Sequence, residues 1–148
     1  MLQSQRLKGK LELRTLADGQ DEYRQVLVRL DAEDVAPMVI NLALLAFRLV
    51  DGIRLVRDQA QLVITSGEEH ILSVSGSSYR LRVSEPALTN LTAFMLIYVR
   101  DGAADVDHVD IETQSEGALS SDVTFIVDAA KPSMSGDQLR ELLLNEEP

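Results

Sequence analysis

Two stretches of the chain are apolar almost all the way round. Val35 to Val50 is broken only by Asn41 and Arg48, and Asp51-Gly52 stops it. Pro86 to Arg100 is nearly as apolar, and Asp101-Gly102 stops it. Both lengths suit helices, and a helix with no polar face must be covered on more than one side. These segments therefore mark the core or the main contact surface. Asp34 is placed to cap the first helix, which puts Pro37 in the first turn, where a missing N–H does no harm. Gly52 is placed to end it, because glycine tolerates positive φ. Ser84-Glu85-Pro86 opens the second helix with Pro at the first helical position. Asn41 and Arg48 lie roughly on one helical face; they serve either as its solvent stripe or as buried polar groups that fix register.

The rest of the chain reads mostly as strands. Leu7, Leu11 and Leu13 alternate with Lys8, Lys10, Glu12 and Arg14, and Tyr23 to Leu30 follows the turn residues Ala17 to Asp21. The two predict a hairpin. Ile53–Arg57, Leu62–Thr65, His70–Val74 and Tyr79–Val83 are four short strands with hairpin-length breaks, so a meander is the economical topology. Tyr79, Leu81 and Val83 alternate with Arg80 and Arg82, the clearest two-residue period in the chain. Strands follow over 106–112 and 123–127, and 131–136 reads as a linker. Residues 137–145, with Leu139, Leu142 and Leu143, predict a short amphipathic C-terminal helix.

The expected architecture is one α+β domain over residues 1–148, in the order ββ-α-ββββ-α-ββ-α. An antiparallel sheet of several short strands packs on two apolar helices, with the C-terminal helix appended. Residues 28–57 and 81–111 share a plan of strand, acidic cap, apolar helix, Asp-Gly and strand, with the two Asp-Gly pairs fifty residues apart. Side-chain identity between them is low, which favours a plan common to strand–helix–strand units over duplication.

The chain has 148 residues, 45% of them hydrophobic, enough for an ordinary core. It has no cysteine, which excludes disulfides, thiol nucleophiles and Cys-based metal sites. The first ten residues lack the apolar run of a signal peptide. The longest apolar run is shorter than the ~18 residues of a membrane span. These features predict a cytoplasmic protein without a membrane partner.

The net charge of −10 argues against nucleic acid as partner. Its distribution is uneven. Arg6, Lys8, Lys10 and Arg14 stand near the start, whereas 101–128 holds eight acids and no Lys or Arg. Asp101, Asp105, Asp107, Asp110, Glu112 and Glu116 form a candidate surface for a basic protein partner. A solvated acidic surface is the simpler account of the same residues.

Candidate chemistry is sparse. On a strand, His108, Asp110 and Glu112 share one face, with Asp107, Val109 and Ile111 on the other. An imidazole between carboxylates is a candidate metal or acid–base set, to which Glu68-Glu69-His70 would add a ligand if it packs beside residue 108. An exposed edge strand is the plainer reading. P-loop, dinucleotide, zincin and serine-elbow motifs are absent. No residue is assigned a catalytic role, and no cofactor is expected.

Three functions are consistent with these features. The first is a non-enzymatic binding protein, immunity-, inhibitor- or chaperone-like in its charge logic, that presents 101–128 to a basic partner. The second is a homo-oligomeric assembly subunit, such as a homodimer, joined through helices 35–50 and 86–100. The third is a small metal-dependent enzyme built on His108, Asp110 and Glu112.

Overall fold

A computed structural model describes residues 1–18, 21–102, 108–115 and 120–127. Its elements are β1 (Leu2–Arg6), β2 (Lys10–Asp18), β3 (Asp21–Leu30), α1 (Ala32–Ala46), β4 (Gly52–Arg57), β5 (Ala60–Ser66), β6 (Ile71–Ser75), β7 (Ser78–Val83), α2 (Glu85–Asp101), β8 (His108–Ser115) and β9 (Ser120–Val127). The class is α+β, with four strands between the helices and two after them, as expected. Three strands precede α1, not two. The additional strand, Leu-Gln-Ser-Gln-Arg, has no apolar alternation, and its one buried side chain is Gln5. The expected linker 131–136 and helix 137–145 lie outside the described residues.

The sheet is mixed, not antiparallel. Its nine strands run in the order β1-β4-β5-β7-β6-β8-β9-β3-β2. Four sequence-adjacent pairs are antiparallel, β2/β3, β4/β5, β6/β7 and β8/β9, because their short turns allow nothing else. These hairpins and β1 meet side by side in parallel, through β1/β4, β5/β7, β6/β8 and β3/β9. The meander expected over residues 53–83 fails at β5. Instead of turning back onto β6, it lies along β7, and the Gly67 N–H continues that pairing by donating to the Val83 carbonyl at 2.8 Å. Alternation in sequence reports which face a side chain takes, not which strand stands next to it.

Helix α1 begins three residues earlier than its apolar pattern and ends earlier too. Asp31 is its N-cap, accepting from the Glu33 N–H at 3.1 Å, while Asp34 sits at the third helical position and completes a capping box. Asp34 therefore is not the cap, and it has a larger task. It is 2% exposed, and its carboxylate accepts from the backbone N–H groups of Lys8, Gly9 and Asp31 at 2.8–2.9 Å. That ties the β1–β2 turn to the start of α1. Gly9 sits there because a Cβ would lie 1.8 Å from the Arg29 carbonyl oxygen.

Gly52 does not end α1. The helix stops at Phe47 in a Schellman motif, in which Arg48 N–H donates to the Leu45 carbonyl and Leu49 N–H to the Leu44 carbonyl. Arg48 holds the left-handed position, at φ 58°. Gly52 instead starts β4, where a Cβ would meet the Leu2 side chain at 2.8 Å. Helix α2 matches its expectation closely, from the Ser84 N-cap to the left-handed Gly102. Asn41 and Arg48 part company. Asn41 is buried and donates to Gln5 at 2.8 Å, whereas Arg48 is exposed and pairs with Glu85 at 2.8 Å.

The two helices correspond position by position. Asp31 matches Ser84, and the buried Val35, Met38, Leu42 and Leu45 match Leu88, Leu91, Met95 and Tyr98, at a constant offset of 53 (84 minus 31). The Asp-Gly pairs, fifty apart, are not equivalent. Each helix follows a hairpin and precedes another, giving two ββαββ units, β2–β5 and β6–β9. Their junctions also match. Leu30 before the α1 cap pairs with Val127 of β9, and Val83 before the α2 cap pairs with Ser66 of β5. The likeness in sequence thus extends to topology, further than a generic strand–helix–strand plan requires. One core joins both units, built from the inward faces of the strands and the buried faces of α1 and α2.

Candidate functional site

Strand β8 exposes one face and buries the other, as its alternation predicts. His108, Asp110 and Glu112 point outward, and Ile111 enters the core. Val123, Phe125 and Val127 of β9 enter the same core, which turns Asp122 and Thr124 outward beside β8. The register sets Glu112 directly opposite Asp122, and Asp110 opposite Thr124. Like charges facing each other across a ladder are destabilising.

Asp122 is only 7% exposed, although it lies on the outer face. Tyr23 and Gln25 of β3 are the neighbours that favour its charged form. Oδ1 is buried and has no hydrogen-bond partner. Burial first, and the nearby charges of Asp110 and Glu112 with it, push the Asp122 carboxyl above its ordinary value, against the opposing influence of Tyr23 and Gln25. Burial and the Asp122 carboxylate likewise push the Tyr23 hydroxyl well above the ordinary tyrosine value, so it remains a donor. Gln25 donates to Thr124 Oγ1 at 3.0 Å, and Thr124 donates to Asp110 Oδ1 at 2.5 Å. The result is an acidic ridge on β8 and β9, flanked by β3, with exposed carboxylates above a buried one.

The expected surface is assembled only in part. Asp110 and Glu112 stand on this ridge. Asp101 ends α2 and pairs with Arg100 at 2.9 Å. Asp105, Asp107 and Glu116 lie outside the described residues. Local sequence pattern does not mark Asp122 and Tyr23, because only the β3–β9 and β8–β9 registers bring them to Glu112. The one hint is an acid standing immediately before the mainly apolar run Val123–Val127.

His108 Nε2 lies 3.7 Å from Asp110 Oδ2. His70 is held elsewhere. Its Nδ1 is 3.3 Å from the Glu112 carbonyl and its Nε2 2.9 Å from Ser84 Oγ, so it staples β8 to the α2 cap. It flanks the Gln114 end of β8, about 20 Å of strand from His108 at about 3.3 Å per residue. Among the described residues no group of three His, Asp or Glu side chains is arranged to hold a metal ion.

Two other features face solvent. A cleft of about 620 Å³ lies where the end of α1 meets the start of α2, lined by Leu45, Arg48, Ser66, Glu68 and Glu85 among others. Both helices expose large apolar side chains, with Ile40 and Phe47 on or beside α1 and Leu96, Ile97 and Val99 on α2 each at least 42% exposed. Among the described residues no helix is long and apolar enough to cross a membrane. No protein-family model matches the chain, and no curated protein matches it in sequence.

Proposed function

We propose that this chain is a non-enzymatic protein-binding protein whose acidic ridge receives a basic side chain of its partner. One observation carries the reading. Asp122 Oδ1 is a buried acceptor with no donor, held beside two further carboxylates. An isolated protein gains nothing from that arrangement, since an unsatisfied buried acceptor costs about 1–3 kcal/mol. A lysine or arginine laid between Asp110, Glu112 and Asp122 would relieve the repulsion and form charge-assisted hydrogen bonds. The work expected of such a protein is inhibition or escort of a basic partner, as in immunity or chaperone proteins.

The test uses a hexa-arginine peptide as probe. Titration of the full chain at low salt should give saturable, salt-sensitive binding that shifts the Tyr23 ring resonances. The Asp110→Asn/Glu112→Gln variant should bind at least about tenfold more weakly, the loss of one good ionic contact. Equal binding by the variant overturns the proposal.

A second reading rests on the exposed apolar faces of α1 and α2. Exposed apolar patches on this scale mark contact surfaces, and a second copy of the chain would cover them without bringing acids together. Residues 35–47 and 86–99 contain no charged residue. Sedimentation should then show a concentration-dependent dimer that Phe47→Ser and Ile97→Ser dissociate. A monomer at all concentrations removes this reading.

A further inference from the structure

The chain carries 24 acids, yet β4, β5, β6 and β7 contain none. The same four strands carry Arg54, Arg57, Arg80 and Arg82. Leu55, Leu62, Ile64, Leu72, Leu81 and Tyr79 fill the core from these strands, which turns Arg54, Arg80 and Arg82 onto the outer face. The register makes them neighbours. Arg54 stands opposite Val63, Val63 opposite Arg80, and Arg80 opposite Ser73. Arg82 lies two residues further along β7, between Thr65 and Ile71. Arg54 and Arg80 are thus two strands apart, about 10 Å at the usual spacing.

None of these three guanidinium groups has an ion pair among the described residues, although the chain as a whole is rich in acids. Arg54 Nε is buried and lacks a hydrogen-bond acceptor. Between Arg80 and Arg82 lies a depression of about 420 Å³, into which Thr65 and Ser73 also face. Neither hydroxyl has a described hydrogen bond. Glu68 and Glu69 border Arg82 from the β5–β6 turn without pairing with it.

We infer that the outer face of β4–β7 is a binding site for a compact polyphosphate, a diphosphate- or triphosphate-bearing small molecule. Three guanidinium forks and two hydroxyls supply more donors than one carboxylate can accept, and Arg engages phosphate oxygens bidentately. A long polyanion is disfavoured by the overall charge of −10, which repels it beyond the contact. A small anion feels mainly the local field. This site is separate from the acidic ridge and does not depend on the function proposed for it.

The experiment is calorimetric titration of the full chain with inorganic pyrophosphate at about 50 mM NaCl, where screening is moderate. Binding should saturate at one site. Arg80→Gln/Arg82→Gln and, separately, Arg54→Gln should each weaken it at least about tenfold. Arg100→Gln, on α2 and already paired with Asp101, should leave it unchanged; circular dichroism checks that each variant is folded. No saturable binding overturns the inference, as does equal binding by the Arg80/Arg82 variant. Parallel titrations use a phosphoserine peptide and a single-stranded oligonucleotide. If either binds more tightly than pyrophosphate, the face serves a macromolecule and the inference is wrong.

Discussion

Asp34 and Asp122 are both buried carboxylates, and their surroundings make them opposites. Asp34 accepts from three backbone N–H groups that have no other use, so its charge is compensated where it sits. Asp34→Ala should lower stability by about 3 kcal/mol in urea unfolding, since it strands partly buried donors as well as removing three bonds to a charged group. Asp122 has an acceptor to spare and acids for neighbours. Its carboxyl is held above its ordinary value, so the folded state binds its proton more tightly than the unfolded chain does. The stabilising contribution of that proton is complete below the unfolded value and is lost as pH rises through the folded one. Asp122→Asn should therefore raise the melting temperature at pH 7, by roughly 3 °C for about 1 kcal/mol, and the gain should vanish below about pH 4. A wild-type protein more stable than the Asn variant at pH 7 would contradict this account. Neither role is legible in the sequence. Asp34 looks like a helix cap because it precedes the apolar run, and its partners Lys8 and Gly9 are 26 and 25 residues away. Asp122 looks like one more acid in an acidic segment.

The helices are plainer in the sequence than their ends are. The α2 boundaries follow from Ser84, Pro86 and Gly102, whose local chemistry suffices. The end of α1 does not, because the chain takes its left-handed turn at Arg48 and not at a glycine. An L-residue pays about 1–2 kcal/mol there, a penalty that a β-branched side chain worsens. Arg48→Gly should therefore be more stable than the wild type and Arg48→Val less stable. Thermal unfolding should separate the two variants by at least about 1–2 kcal/mol, and a valine variant as stable as the glycine one would contradict the strain. The Arg48–Glu85 pair lost in both is exposed and contributes little. Strands were legible where one face is apolar and the other charged, as in β7 and β8. Strand β1 was not, because its buried side chain is a glutamine satisfied by Asn41 and the Asp34 carbonyl. Strand neighbours and directions were beyond local pattern altogether. Nothing in residues 60–83 says that β5 passes β6 to lie on β7.

At the scale of the whole molecule, two ββαββ units share a core and meet at matching parallel junctions. The sheet curls enough for β2, at one end of the strand order, to return against β4 and β5 near the other. Strand β1 lies on β4 beside that seam and has no counterpart in the second unit among the described residues. Five backbone positions and the Leu7 N–H bond to the Val56 carbonyl align it there. Its side chains contribute little to the core, so its hold is mostly ladder, and a ladder can be supplied by a separate strand. A chain beginning at residue 7 should remain folded but expose the backbone of β4, self-associate through it, and return to its original state when a free peptide of residues 1–6 is added, as size-exclusion chromatography would show. Failure of that peptide to restore the original elution would mean the covalent link is needed. If the peptide succeeds, the seam is a slot that accepts an extended segment by main-chain pairing alone, and any attachment fused to that short peptide could be clipped onto the fold without altering its interior.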